Sequence, residues 1–287
     1  MRKNLSVWDA PAIVLTALRR FARLRAPEAA ASLAYYALFS LFPLLIFLVV
    51  VGSFVLEEEQ VRETVFFWLA NLFPAASDLI ARNLDFVIAR RGPAGVTAIV
   101  AMLWSGSGAF TALARNINRA WPGARPRNFL MGRLVGLVII TVLVMLLFLS
   151  LFAGAVVRWF PLVSRFLSLT NRAPFNRLWG LATANLFAPG LTFVMFLVLY
   201  RWTPNADVRW TEAAWGAATA TFGWRLAVSA FTWYLSSGLV NYQLVYGTLG
   251  TVIALLFWIY LSSLVTLLGA HLGAAIALHR RAKVNRA

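Results

Sequence analysis

No cysteine occurs among the 287 residues. Disulfides, thiolate metal sites and thiol nucleophiles are therefore excluded. Acids are scarce too, ten against twenty-six lysines and arginines. None of them falls within a long apolar stretch. The two histidines, His271 and His279, stand eight residues apart, whereas ligands sharing a helical face stand three or four apart. The only lysines are Lys3 and Lys283, so no Walker loop can be drawn. A Ser/His/Asp set would have to bring Asp9 or Asp207 to a histidine, and nothing in the spacing does so. Charged residues make up 13% of the chain, about half the share usual in soluble domains. The expectation is a chain that is not an enzyme and uses no cofactor and no metal.

Long apolar runs are abundant. Six fill most of the sequence: Leu33–Leu56, Gly92–Ala114, Leu134–Val157, Leu178–Tyr200, Ala213–Val240 and Tyr246–Leu278. Each exceeds the roughly 20 residues that cross a ~30 Å hydrocarbon layer as a helix. Lipid offers no partners to backbone amides, so such runs must be helical. The fold class expected is an all-α integral membrane protein with six transmembrane helices plus amphipathic interfacial helices. Residues 1–32 form a cytoplasmic amphipathic segment, 33–278 the membrane domain and 279–287 a basic cytoplasmic tail. The first run is too long for a signal peptide and reads as a retained span.

Basic residues orient the bundle. Seventeen lysines and arginines lie in the termini and even-numbered loops, against eight in the alternate loops, so both termini are expected in the cytoplasm. The N-terminal segment repeats Ile13, Val14, Ala17, Leu18, Phe21 and Leu24 at helical spacing, after the start signals Asp9 and Pro11. Its arginines 19, 20, 23 and 25 are suited to anionic headgroups. Residues 64–76, 78–89 and 158–177 are expected at the membrane surface. Leu41-Phe42-Pro43 and Leu186-Phe187-Ala188-Pro189 are the one local echo of an inverted repeat.

Function in such a bundle rests on its few interior polar groups. Arg225 lies within the fifth run, where a charge is costly unless it faces water or the bundle interior; alternatively it snorkels to the interface. Further candidates for a substrate path are Ser40 with Pro43, Ser105 with Ser107, Asn185 with Pro189, the short connection Asn241, Tyr242 and Tyr246, and His271, which can titrate near neutrality. Prolines free backbone carbonyls that can line a path, or simply kink a packed helix. Trp104-Ser105-Gly106-Ser107-Gly108, Gly269 and Gly273 also suit close helix packing. Asn116, Asn118 and Arg119 are candidates for a cytoplasmic gate or, alternatively, a helix cap.

An ordered set of motifs carries a resemblance: Ala34-Tyr35-Tyr36, Ser40-Leu41-Phe42-Pro43, Leu103-Trp104-Ser105, Asn118-Arg119-Ala120-Trp121, Asn241-Tyr242, Tyr246-Gly247, Leu256-Phe257-Trp258-Ile259-Tyr260-Leu261 and Leu268-Gly269-Ala270. Over roughly residues 30 to 275 the chain resembles the YihY/BrkB family of bacterial inner-membrane proteins. The resemblance implies six helices in the cytoplasmic membrane and a link to virulence, serum resistance and envelope transport. The family's old label, ribonuclease BN, looks mistaken. His271 is a departure, since relatives often carry an acid after Leu-Gly-Ala. The expected function is transport or flipping of an anionic lipid or solute. The alternative is a structural or regulatory envelope protein. Expected partners are membrane lipids, including anionic headgroups; no nucleic acid is expected, and a homo-oligomer is left open.

Overall fold

The computed structural model describes residues 9–52, 93–142, 145, 188–237 and 248–285. The described residues form seven helices and no strand. They are α1 (Ala10–Arg23), α2 (Ala26–Gly52), α3 (Pro93–Ala120), α4 (Phe129–Val142), α5 (Ala188–Trp202), α6 (Trp210–Ser236) and α7 (Thr248–Asn285). Every apolar run is helical wherever it is described. Among the described residues, one segment, Val252–Lys283, is long and apolar enough to cross a membrane on its own; α4 and α5 are apolar but shorter.

From α2 onward, successive helices pack antiparallel. Ser40 of α2 meets Ala109 of α3, and Gly132 and Gly136 of α4 lie on Thr111 of α3. Tyr200 at the end of α5 lies against Gly216 near the start of α6. α6 runs along α7, which also packs on α2 and closes the bundle. One end therefore gathers the starts of α2, α4 and α6 and the ends of α3, α5 and α7.

Small residues explain the closest contact. Ala213, Gly216, Ala217 and Ala220 of α6 face Gly269, Ala270, Gly273 and Ala274 of α7, and the alanines are fully buried. Side chains this small let two backbones approach without a hydrophobic driving force between helices in lipid. A Cβ on Gly269 would stand 2.7 Å from the Gly216 carbonyl oxygen. The glycines Gly269 and Gly273 thus have the packing role that their spacing suggests.

α1 is strongly amphipathic, as its spacing predicts. Its Ile13 and Ala17 bury against Ala275 and Ile276 of α7. Asp9 sits at the N-cap but makes no side-chain capping bond. Its carboxylate instead pairs with Lys283 and lies 3.4 Å from His279 Nε2. Arg20 does not reach outward to headgroups either: its Nη2 donates to the carbonyl of Ala120 at 2.9 Å. α2 begins at Ala26, seven residues before the apolar run. The junction turns at Arg25, a non-glycine residue in the left-handed region with φ 54°. Such a conformation costs about 1–2 kcal/mol for an L side chain. Arg25→Gly should therefore raise stability slightly, by up to about 1 kcal/mol after glycine's entropic cost, read as a higher unfolding midpoint in detergent. The lost ion pair with Glu28 is exposed and contributes little.

Candidate functional site

Two polar features occur where α3 and α4 meet. The first lies within the bundle. Ser107 is fully buried and Ser40 is 5% exposed. The Ser107 hydroxyl donates to the Trp104 carbonyl at 2.7 Å, and the Ala109 amide donates to Ser40 Oγ at 3.3 Å. Arg133 of α4 reaches into this cluster. Its Nη1 donates to the Trp104 carbonyl and to Ser107 Oγ, both at 3.0 Å. The guanidinium also stacks over the rings of Trp104, at 5.4 Å, and Phe129, at 5.6 Å, a favourable cation–π arrangement. Ser107 lies thirteen residues before Ala120, roughly 20 Å along the helix axis. By its place in the sequence Arg133 belongs to the loop between the second and third apolar runs. The structure instead places it one turn inside α4, with its charge half-buried against α3.

The second feature is a cavity of about 320 Å³ at the corner of α3, α4 and the loop between them. Thr111, Arg115, Asn118 and Arg119 line one wall, and Arg127, Asn128, Phe129 and Gly132 the other. Spacings of three and four place the α3 residues on one face. Among the described residues no carboxylate lines the cavity. Burial holds the Arg127 guanidinium below its ordinary value, but a guanidinium remains cationic at neutral pH. Arg127 Nη1 donates to the Thr203 carbonyl at 2.6 Å, which ties the loop to the end of α5.

Asn118 holds this corner together. Its Oδ1 accepts from the Asn205 amide at 2.6 Å, and its Nδ2 donates to the Arg125 carbonyl at 3.0 Å. Trp121 is 4% exposed and packs over Gly273. Asn116 bonds back to the Ala112 carbonyl at 2.9 Å, within its own helix. Arg119 is exposed and lines the large cavity on one side and a very small one on the other, where it meets His271. His271 is 3% exposed and meets Phe21 edge to face with ring centroids 5.6 Å apart. It stands apart from the Arg133 cluster.

Other candidates are dispersed. Arg225 is exposed on the outer face of α6, beside Phe222 and Leu226, which are also exposed. It does not face the bundle interior. Pro43 lies within α2, which continues through it unbroken, and Pro189 is the second residue of α5. Ser105 lies in α3. Asn185, Asn241, Tyr242 and Tyr246 fall outside the described residues, as do segments 64–76, 78–89 and 158–177.

Glu212 is one of the ten acids and is not among the candidate residues above. It is fully buried. Its Oε2 accepts the Arg209 amide at 2.9 Å, the glutamate half of a capping box at the start of α6. Its Oε1 lies 2.6 Å from Arg280 Nη2 on α7. An acid just before an apolar run was the one available signal, since Arg209 lacks the acceptor that a full capping box needs.

The sequence profile of the family described as Virulence factor BrkB matches residues 17–287. The ribonuclease-like protein YfkH of Bacillus subtilis is 29% identical, over 88% of this chain and 90% of its own. A UPF0761 membrane protein of Histophilus somni is 27% identical, over 91% of this chain and 88% of its own. Another, of Mannheimia succiniciproducens, is 27% identical, over 90% and 86% respectively. No solved structure matches the chain.

Proposed function

We propose that this chain, which belongs to the Virulence factor BrkB family and is a membrane protein, is a transporter or lipid flippase of the bacterial envelope for an anionic lipid or solute. One observation carries this: the Arg133 charge held on Ser107 beside Ser40, half-buried at the edge of the bundle, next to a cavity lined by three arginines and, among the described residues, no acid. A guanidinium so placed offers an anion a partner part-way across the membrane, where an unpaired charge would be costly. Thr111 links the two features. Its hydroxyl donates to the Ser107 carbonyl at 2.8 Å, and it also lines the cavity.

We take the chain to cross the inner membrane six times with both termini in the cytoplasm. The alternating antiparallel order of α2 to α7 supports this, as does the contact between Asp9 and Lys283 near the two ends of the chain. α7 has 38 residues, about 57 Å of helix, so its last turns extend past the membrane to meet α1. In this role the chain is not an enzyme. Asp9 and Glu212 hold helices together, and Glu28 pairs with Arg25 on the surface.

Arg133→Gln in proteoliposomes should lower flux of a fluorescent anionic lipid or anionic solute by about tenfold or more, since hydrogen bonds from a charged donor are the strong ones. The variant should remain monodisperse, because Arg133 lies at the edge of the bundle. Wild-type flux from this variant would refute the path. Absence of flux from the wild type, together with a stable co-purifying envelope protein, would favour a role in assembly.

A further inference from the structure

The cationic cavity does not end at its arginines. Val135 lines both it and an apolar groove of about 130 Å³ between α4 and α5. Val138, Val142, Met195 and Val198 wall that groove, and Trp202 stands exposed at its mouth. Arg127 marks the junction, because the carbonyl it holds belongs to Thr203, which also lines the groove. A fork of arginines thus adjoins a greasy slot. A free anion would use only the first part, whereas an amphiphile with an acidic head would use both.

The charge favours phosphate. Arg115 and Arg119 stand one turn apart on α3, and neither has an ion-pair partner among the described residues. Guanidinium groups match phosphate oxygens in pairs and hold their charge at any physiological pH. The cavity lies within two turns of the end of α3, the depth of a headgroup if the bundle spans the membrane as proposed. Its volume is in the range of small-molecule sites.

We propose that this corner is a lipid site: Arg115, Arg119 and Arg127 bind the phosphate of a membrane phospholipid, and one acyl chain lies in the groove between α4 and α5. The site deepens the transport reading by naming its ligand class, and it rests on the same placement in the membrane. Binding here does not itself require flux, so the two can fail separately.

The test uses the full chain, purified in detergent and in phosphatidylcholine nanodiscs doped with phosphatidylglycerol. Bound lipid is counted by native mass spectrometry, and inorganic phosphate serves as the competing probe. Wild type should retain phosphatidylglycerol in preference to phosphatidylcholine. The double variant Arg115→Gln/Arg119→Gln should lose about tenfold or more of that retention. Both side chains are exposed, so folding should survive. Val138→Trp fills the groove and should also release the lipid while all three arginines remain. Equal retention of the two lipids, or unchanged retention in both variants, would overturn the site. Phosphate binding that depends on the arginines but ignores Val138→Trp, with no lipid retained, would make this a soluble-anion site and overturn the lipid assignment. Bound phosphatidylglycerol without flux would sink the transporter and leave the site standing. Flux of phosphatidylglycerol that ignores all of these variants would sink the site alone.

Discussion

Glu212→Ala should unfold much of the protein at temperatures the wild type survives, at a cost of about 3–5 kcal/mol. The carboxylate has no contact with water: its side chain is 1% exposed, and that of Arg280 is 23% exposed. Removing it strands a guanidinium in a largely dry site and leaves the Arg209 amide, at the N-cap of α6, without the acceptor it has in the wild type. Asymmetry between the partners makes the claim specific. Glu212→Gln keeps an acceptor for the Arg209 amide and should cost less than alanine. Arg280→Met, alone, leaves the Glu212 carboxylate its hydrogen bond from the Arg209 amide and should be less damaging than Glu212→Ala. The double variant Glu212→Gln/Arg280→Met removes both charges and should recover part of the loss, because a buried pair is often no better than a well-packed neutral replacement. Unfolding midpoints in detergent for the four proteins form the cycle. A Glu212→Ala midpoint equal to wild type would show that α6 and α7 do not depend on this pair.

Much of the helical architecture was legible because lipid permits so few solutions: a long enough apolar run must be a helix. α1 was legible for a different reason, the recurrence of apolar residues every three or four positions. Interior polar contacts were less so. Arg133 reads as one more positive residue beside a loop, and only the fold-back of residues 121–128 brings α4 alongside Ser107. Glu212 finds its partner sixty-eight residues later, on a part of α7 whose helicity past the apolar run no local pattern specifies. Arg225 is the instructive case. Burial of Ala213, Ala217 and Ala220 fixes the inward face of α6, and Trp215, Phe222, Leu226 and Trp233 occupy the outward one. Arg225 follows Phe222 by three and so shares that outward face. Size, small against bulky, carried the phase of this helix. Hydrophobicity did not, because both faces are apolar.

That same division by size sets the second large effect. Gly269→Leu should abolish recovery of monodisperse protein, and Gly269→Ala should already cost several kcal/mol, above the ~1–3 kcal/mol usual for one extra methyl in a packed core. The reason is where the new Cβ would lie: 2.6 Å from the Tyr200 hydroxyl, 2.7 Å from the Gly216 carbonyl oxygen and 2.8 Å from the Ala220 methyl. Two of these neighbours cannot swing aside. One is backbone, and Tyr200 is fully buried with its hydroxyl donating to the Thr266 carbonyl at 2.6 Å. Relief would require α6 and α7 to separate, and that would weaken the contact between Glu212, one turn away on α6, and Arg280, three turns away on α7. Gly190 of α5 is the matched control. Among the described residues nothing lies within 4 Å of its would-be Cβ, so Gly190→Ala should be neutral or stabilising by about 0.5–1 kcal/mol, as in any open helix position. Size-exclusion profiles and unfolding midpoints of the three variants decide the matter. If Gly269→Ala and Gly190→Ala behaved alike, the two helices could not be as close as the structure places them.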